Sequence, residues 1–330
     1  MSFWDVLYSG NKPVIGMSPM DGVTDGPFRY MVGKYGRPDV IFTEFVSVDG
    51  LHYSQGIKKE RMLLGFVKAK DLEEKSSSSY EVAQVFGNKP EYFVEAAKLI
   101  ESLGFDGIDI NMGCPAKNVS ENGCGAGLIR TPKLAQEIVL ATMSATKLPV
   151  SVKTRIGVSS GSEMDEWIEA LCEVKPANIS LHGRTLKQLY QGSADWEAIG
   201  RAAEIVHKNG LHILGNGDVT SLSEVREKVE RYGVDGVLIG RAAEGNPLVF
   251  QGIDEPDYKQ RLAWAVEHAI VYENLYKPSE SAEGDIRWFL PMRKHLAWYA
   301  HGFPGASDLR TRLMKSMCSQ DVSDLVKSFE

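Results

Sequence analysis

The chain has 330 residues, of which 43% are hydrophobic and 25% charged, as is typical of a soluble globular protein. Its four cysteines are too few and too scattered, with no Cys-x-x-Cys pair, for a disulfide framework or a structural zinc site, and no metal is predicted. The net charge of −7 argues against a protein that coats nucleic acid. Because no leader and no apolar run of membrane-spanning length is visible, we expect a cytoplasmic protein without membrane contact.

Short runs of β-branched and apolar residues recur along most of the chain, and each ends in polar residues or glycine. The eight runs are residues 13–19, 40–46, 80–86, 106–112, 149–155, 177–183, 211–217 and 234–240. Amphipathic stretches such as 90–104 and 133–147 separate most of them. This alternation predicts an α/β fold of the TIM (β/α)8 barrel type. A doubly wound open sheet is the alternative, although such sheets more often have fewer strands.

The pattern changes after Pro247, where strand signals stop and helical periodicity continues over residues 257–330. We therefore predict a barrel domain over residues 1–250 and a C-terminal all-helical domain over 257–330. Residues 65–79 are polar and rich in serine, and we expect an exposed loop or hairpin there.

The helical segment also carries a local positive charge. Residues 285–315 contain six basic residues against two acidic ones, interleaved with aromatic side chains such as Trp288 and Trp298. Basic residues mixed with aromatics can bind nucleic acid through phosphates and stacked bases. On the residues alone, a solvated basic helix face is the simpler interpretation.

Polar residues mark the ends of the predicted strands, where the active sites of TIM barrels lie. In chain order they are Ser18, Glu44, Gln84, Asn111, Lys153, Arg155, His182, Arg184, Asn216 and Arg241. Such side chains are costly to bury without a ligand, so their recurrence indicates a site.

The seventh and eighth strand ends have the composition of a phosphate cradle. Asn216-Gly217-Asp218 and Gly240-Arg241 supply small residues and a cation at the two loops where many barrels bind phosphate. Lys153 and Gln84 are candidates to contact a flavin ring, which favours a donor or cation near its N1 side. Because no G-x-G-x-x-G fingerprint opens a βαβ unit, a Rossmann nucleotide site is not expected.

Cys114 follows the fourth predicted strand in the sequence Gly-Cys-Pro. A free cysteine is usually a small buried apolar residue, but its place at a strand end favours a functional role. Cys124, in the glycine-rich loop that follows, is the competing candidate.

Several motifs, in order along nearly the whole chain, resemble those of the tRNA-dihydrouridine synthases of the bacterial type. They are SPMDGVTDGPFR (18–29), INMGCPAKNV (110–119), GCGAGLI (123–129), SVKTRIG (151–157), LHGRTLKQLYQGSADW (181–196), NGDV (216–219), GVLIGRAAEGNP (236–247) and MRKHLAWYAHGFPGASDLR (292–310).

The resemblance implies FMN in the mouth of the barrel and NADPH as its reductant. The residues implied to hold FMN are Ser18, Pro19, Met20, Gln84, Asn111, Lys153, His182, Asn216, Gly217, Asp218, Gly240 and Arg241, with Asn111 facing either the flavin or the target uracil. It further implies that a uridine is extruded from tRNA, receives a hydride at C6 and is protonated at C5 by Cys114 as general acid.

The resemblance also implies that the basic residues of the segment 285–315 bind RNA. The implied phosphate contacts are Arg287, Arg293, Lys294, Arg310 and Arg312. We predict tRNA as substrate, with modest and salt-sensitive affinity, and no stable protein partner.

Three alternatives to this function stay open at this stage. The same chemistry could act on ribosomal RNA, or an FMN barrel could reduce a small pyrimidine or enone. A third possibility is an RNA-binding protein without turnover, against which the presence of Cys114, Lys153 and Gln84 argues.

Overall fold

Eight parallel strands form a closed barrel in chain order, in a computed structural model that describes residues 1–10, 12–72, 78–278 and 286–329. The strands are β1 (Val14–Met17), β2 (Val40–Ser47), β3 (Tyr80–Phe86), β4 (Gly107–Met112), β5 (Val150–Arg155), β6 (Ile179–His182), β7 (Ile213–Asn216) and β8 (Gly236–Ile239). Each falls within or next to a predicted run, and β8 pairs with β1 to close the sheet. The predicted TIM barrel is confirmed, and an open doubly wound sheet is excluded.

Helices cover the outside of the barrel and continue beyond it. They are α1 (Phe3–Tyr8), α2 (Gly26–Met31), α3 (Val48–Tyr53), α4 (Gly56–Leu63), α5 (Ala69–Leu72), α6 (Pro90–Ser102), α7 (Lys117–Ser120), α8 (Pro132–Ser144), α9 (Met164–Glu173), α10 (Trp196–Lys208), α11 (Leu222–Tyr232), α12 (Tyr258–Tyr276), α13 (Met292–Tyr299), α14 (Ala306–Leu313) and α15 (Ser319–Phe329). Local signals set their ends: Asp195 accepts a hydrogen bond from the Ala198 amide at the start of α10. Gly233, with φ at +68°, ends α11.

The main hydrophobic core lies between the strands and their covering helices. Ile108, Ile110, Val152 and Leu181 are fully buried in it. Because side chains alternate along a strand, these apolar residues leave the intervening positions of the same strands for polar groups inside the barrel.

The C-terminal helices α12–α15 form a second hydrophobic cluster, and they share it with the barrel. Leu262, Leu296 and Leu309 are fully buried there beside Tyr30 and Met31 of α2. The predicted helical region is therefore present, and its apolar side chains pack directly on a helix of the barrel.

The segment after α4 corrects one expectation. Residues 64–66 form a helical turn and α5 follows, with Phe66 and Ala69 almost completely buried. The predicted exposed loop or hairpin over 65–79 is wrong for this part, because two apolar side chains in a polar stretch suffice to fix it to the barrel. Residues 73–77 lie outside the described residues.

Across the described parts of the chain, no helix has the length and apolar character needed to cross a membrane.

Candidate active site at the barrel mouth

The strand register brings the polar strand ends to one level of the barrel. Asn111 of β4 lies opposite Lys153 of β5. Arg155 lies opposite His182 of β6, which in turn lies opposite Asn216 of β7. Residues distant in sequence thus line a single opening at the carboxyl ends of the strands.

A buried hydrogen-bond network supports one side of this opening. Gln84 donates from Nε2 to Asp109 at 2.6 Å, and Asn111 donates from Nδ2 to Gln84 Oε1 at 2.9 Å. Ser151 donates to the other oxygen of Asp109 at 2.6 Å. Burial raises the pKa of Asp109 to about 6, and the bonds from Ser151 and Gln84 oppose that shift. The network fixes the Asn111 side chain from below.

Asn111 in turn holds the start of the loop that carries Cys114. Its Oδ1 accepts the amides of Gly113 at 3.0 Å and Cys114 at 2.8 Å. Arg155 donates from Nε to the Gly113 carbonyl at 2.7 Å and from a terminal nitrogen to the Thr185 carbonyl at 3.0 Å. The N–H and the C=O of the Gly113–Cys114 peptide are thereby held by side chains of strands β4 and β5.

The Cys114 thiol lies in a small apolar environment. Cys114 is 9% exposed and packs with Val119 and Cys124, flanked by Phe45 and Phe86. Burial raises the pKa of the Cys114 thiol, against a backbone hydrogen bond from Ala116 that lowers it. The group is therefore a protonated thiol at neutral pH, which suits a proton donor rather than a nucleophile.

Lys153 places an ammonium group inside the barrel mouth. It donates to Asn216 Oδ1 at 2.9 Å, and Asn216 donates to the Leu238 carbonyl at 2.9 Å. Among the described residues, Asn216 is the only hydrogen-bond acceptor of the Lys153 ammonium, although an ammonium can donate three hydrogen bonds. Burial lowers the pKa of Lys153 to about 8, and the charge of Arg155 adds to that shift. A partly enclosed ammonium with unused donors is suited to an electron-rich ligand.

The opposite side of the mouth carries a cluster of cations around one carboxylate. Arg184 pairs with Asp218 at 2.7 Å, and the exposed Arg241 pairs with the other oxygen at 2.8 Å. His182 lies 3.2 Å from Arg184, and burial together with the surrounding cations lowers its pKa to about 2. His182 is therefore a neutral imidazole at neutral pH.

The loops after β7 and β8 form the predicted cradle. Among the described residues, the backbone amides of Asp218 and Gly240 donate to no protein group outside the strand ladders. A Cβ at Gly217 would lie 2.5 Å from Ala194 Cβ and 3.2 Å from His182, so only glycine fits there. Free amides beside Arg241 match the donor set that a phosphate requires. Together with Lys153 they fit a flavin phosphate and ring.

The first strand completes the mouth next to this cradle. A Cβ at Gly240 would lie 3.4 Å from the sulfur of Met20 and 3.6 Å from Ser18 Cβ, which places the Ser18-Pro19-Met20 segment beside the β8 loop. An open cleft of about 320 Å³ lies beside this segment, between the end of β2 and α12. Asp21, Glu44 and Tyr276 are among the residues that line it.

The predicted RNA contacts differ in exposure and in their surroundings. Arg310 and Arg312 are exposed on α14. Arg293 donates to the Ser316 carbonyl at 2.9 Å, and the Lys294 ammonium lies close to Gly22 at the mouth. The side chain of Arg287 lies outside what the structure describes.

Three residues of the site were missed or given no role by sequence reasoning. Asp109 lies in the middle of a predicted strand. Its carboxylate, placed among the apolar residues of that strand, is the only sequence feature that could have indicated its role. Arg155 and Arg184 were noted at strand ends, but no pattern indicated that they bind loop carbonyls and a carboxylate.

The sequence matches known proteins over nearly its whole length. Residues 16–329 match the family model described as dihydrouridine synthase (Dus). This chain belongs to the dihydrouridine synthase family. A probable tRNA-dihydrouridine synthase of Staphylococcus aureus (strain COL) is 36% identical over the whole chain and 96% of the relative. Probable tRNA-dihydrouridine synthase 2 of Bacillus subtilis (strain 168) is 34% identical over 100% of this chain and 97% of its own length.

Two solved structures share the fold of this dihydrouridine synthase family member at low identity. Morphinone reductase in complex with tetrahydroNAD gives a TM-score of 0.52 at 12% identity and covers 72% of this chain and 86% of its own. Histamine dehydrogenase from Rhizobium sp. 4-9 gives 0.56 at 15% identity and covers 83% of this chain and 51% of its own. At this identity the likeness supports the barrel fold alone.

Proposed function

We propose that the protein is a tRNA-dihydrouridine synthase that uses FMN and NADPH to reduce a uridine of tRNA to 5,6-dihydrouridine. The observation that carries the proposal is a buried, protonated Cys114 fixed by Asn111 and Arg155 at the same mouth as a buried Lys153 and a glycine cradle. The relatives named as probable tRNA-dihydrouridine synthases match this chain over its full length, which supports the same reaction.

The cradle and Lys153 are the groups we assign to FMN. The amides of Gly217, Asp218 and Gly240 and the Arg241 guanidinium would hold the phosphate, whereas Lys153 and Asn216 would face the polar edge of the ring. Ser18, Pro19 and Met20 would lie along the ring. Reduced FMN supplies a hydride when it is bound. The neutral His182 is a hydrogen-bonding group in this arrangement and adds no charge.

Gln84 has a more indirect part than the resemblance implies. It is fully buried, and both ends of its amide are used by Asp109 and Asn111. We propose that it positions Asn111, and through it Cys114, rather than holding the cofactor itself.

Cys114 would deliver the proton to C5 of the uracil ring after hydride addition at C6. Addition of a hydride to an enone leaves an enolate, whose carbon must receive a proton to complete the reduction. The raised pKa of Cys114 keeps the thiol protonated until this step. The uridine must leave the tRNA fold to reach the thiol, because a base held in the RNA structure cannot enter a barrel.

The docking of tRNA would use the cleft between β2 and α12 and the basic residues of the C-terminal helices. Lys294 at the mouth and Arg310 and Arg312 on α14 are the exposed or partly exposed cations we assign to phosphates. Arg287 stays a prediction, and Arg293 would act mainly by holding the end of α14 through Ser316.

The deciding experiment is anaerobic. The purified flavoprotein is reduced with NADPH, and RNA from cells that lack dihydrouridine is then added while the return of oxidised-flavin absorbance is followed. We expect fast return with tRNA and none with free uridine.

The other outcomes separate the alternatives. Return with ribosomal RNA alone would keep the chemistry and change the substrate. Return only with a small pyrimidine or enone would replace the proposal with a small-molecule reductase. A protein that binds tRNA but carries no flavin would be an RNA-binding protein without turnover.

A further inference from the structure

Three ligand-bearing side chains meet in the interior where the C-terminal helices pack on the barrel. Asp25 caps the start of α2, His268 lies in the middle of α12, and His295 lies in α13. One possible ligand atom from each lies within 4.8 Å of the other two, and all three residues are buried. None of them takes part in the site described above.

The imidazoles of this cluster lack the hydrogen bonds that burial normally demands. Among the described residues, neither nitrogen of His295 nor the Nε2 atom of His268 has a hydrogen-bond partner. His268 is 0% exposed and His295 is 1% exposed, so water does not reach these atoms freely. An unpaired buried polar group destabilises the folded state, and three of them at one point require an explanation.

The orientation of each side chain leaves one donor atom facing the others. Tyr299 lies 3.1 Å from Nδ1 of His268, which leaves Nε2 free. The Phe28 amide donates to Oδ1 of Asp25 at 2.9 Å, and the other oxygen lies 3.8 Å from Nε2 of His295. For His268 and Asp25 this is the usual arrangement of a metal ligand, in which the second atom is held by a neighbouring group, whereas among the described residues Nδ1 of His295 has no hydrogen-bond partner.

We propose that Asp25, His268 and His295 bind a Zn²⁺ ion that joins helix α2 of the barrel to helices α12 and α13. Two imidazoles and one carboxylate form a common zinc ligand set. Ligands at zinc distances lie roughly 3.3–3.5 Å apart in a tetrahedron, compared with 3.8 Å between Asp25 and His295 and at most 4.8 Å across the cluster.

The electrostatics of the cluster agree with a bound cation. Burial lowers the pKa of His268 to about 3, so its imidazole is in the neutral form that binds metals. Burial and the nearby Glu44 raise the pKa of Asp25 to about 7, against the Phe28 hydrogen bond and the charges of Arg29 and Lys294, which lower it. A divalent ion supplies the partners that the imidazole nitrogens lack.

The cysteines and the spacing of the chain give no hint of this site. Its ligands come from three distant segments, and the sequence predicts no metal. The inference does not depend on the proposed reaction, because it rests on the contacts of Asp25, His268 and His295 alone.

The test uses the full chain without a histidine tag. After chelation and dialysis, the protein is titrated with Zn²⁺ against a chromophoric chelator, and bound zinc is measured by elemental analysis. We expect about one zinc per chain and a zinc-dependent rise in melting temperature. Substitution with Co²⁺ should give the visible bands of a tetrahedral site without a thiolate charge-transfer band.

Variants assign the zinc to the cluster. His268→Gln and His295→Gln should lose the bound zinc and the zinc-dependent rise in melting temperature. His207→Gln is the matched control, because His207 also pairs with an aspartate, Asp235 at 2.9 Å, but on the surface. Asp25→Asn is a milder variant should a histidine variant fail to fold.

Two results would overturn the proposal. One is a wild-type protein that binds no zinc or cobalt after chelation and shows no shift in melting temperature. The other is zinc that remains bound in the folded variants, or a cobalt spectrum with thiolate bands, either of which would place the metal elsewhere.

Discussion

Cys114 shows how a single residue acquires a role from its surroundings. A free thiol is weakly acidic, and burial beside Val119 and Cys124 makes the Cys114 thiol weaker still. The two anchors on its loop, Asn111 and Arg155, fix where its proton can be delivered. The residue is suited to general acid catalysis because it is both protonated and immobile.

Replacement of Cys114 by alanine should slow product formation strongly without abolishing flavin chemistry. We expect Cys114→Ala to keep FMN and NADPH oxidation and to form dihydrouridine about 10²–10⁴-fold more slowly, the usual contribution of a general acid. The measurement is single-turnover flavin reoxidation by tRNA, with dihydrouridine counted in the product.

Cys124→Ala is the control for this variant, because Cys124 lies in the same apolar cluster. Its rate should stay near that of the wild type. A Cys114→Ala enzyme that makes product at the wild-type rate, or a Cys124→Ala enzyme that loses it, would reassign the acid.

Lys153 should make FMN binding depend on pH. Its pKa is lowered to about 8 in the free protein, so it is protonated at pH 7 and loses its charge as the pH rises above 8. An electron-rich ligand favours the charged form, and FMN affinity should therefore fall by up to about tenfold per pH unit above pH 8. Quenching of FMN fluorescence between pH 7 and 9.5 measures this.

The Lys153→Met variant tests the assignment of that pH dependence. It should bind FMN weakly at every pH and show no decline above pH 8. If its affinity falls with the same slope as that of the wild type, another group is responsible.

At the scale of elements, the strands and the loops after them have separate tasks. The strands place the side chains of Asn111, Lys153 and Asn216 at the same level along the barrel axis, because paired strands share one register. The loops after β7 and β8 then supply the free amides of the cradle. Gly217 links the end of strand β7 to its loop. Its φ of +131° turns the chain away from β7 directly beside His182.

A methyl group at Gly217 should damage the cradle. Gly217→Ala combines a backbone conformation that suits glycine with a contact of 2.5 Å to Ala194 Cβ. We expect a loss of about 1–3 kcal/mol in the free energy of unfolding and weaker binding of FMN. Chemical denaturation and FMN titration measure the two effects.

Gly210→Ala is the matched control for backbone strain without crowding. Gly210 also has a positive φ, +71°, but nothing lies within 4 Å of its added Cβ. It should cost less stability and leave FMN binding unchanged. Equal effects of the two variants on FMN binding would contradict the cradle.

At the scale of the whole molecule, charge is divided between two regions. The chain carries −7 overall, whereas the C-terminal helices expose Arg310 and Arg312. Such a division lets one face bind RNA while the rest of the surface repels it. The helices also share their apolar cluster with α2, which fixes this face relative to the barrel mouth.

Charge reversal on α14 should weaken tRNA binding in a salt-dependent way. The double variant Arg310→Glu and Arg312→Glu should lower the tRNA affinity and reduce the slope of log K against log salt by about 2, one for each lost phosphate contact. Binding of labelled tRNA over a range of salt concentrations measures both quantities.

The matched control reverses the same amount of charge on the barrel. Lys133→Glu with Arg201→Glu changes two exposed residues of α8 and α10. If this control weakens binding as much as the α14 variant does, net charge rather than a local patch controls RNA binding.

The sequence by itself determined the barrel, its strands and most of the residues at its mouth. This was possible because alternating apolar runs and polar strand ends are local signals, and the family motifs lie in order along the chain. The division into domains at 250–257 stays a prediction, although α12 begins at Tyr258.

Only the tertiary structure decided which side chains pair. Asp109, Arg155 and Arg184 found partners on other strands and loops. Asp25 met two histidines from the far end of the chain. Pairing of this kind depends on register and on helix packing, which bring together residues whose separation in sequence carries no periodic signal. For the same reason, the buried Phe66 corrected a segment whose composition alone indicated a loop.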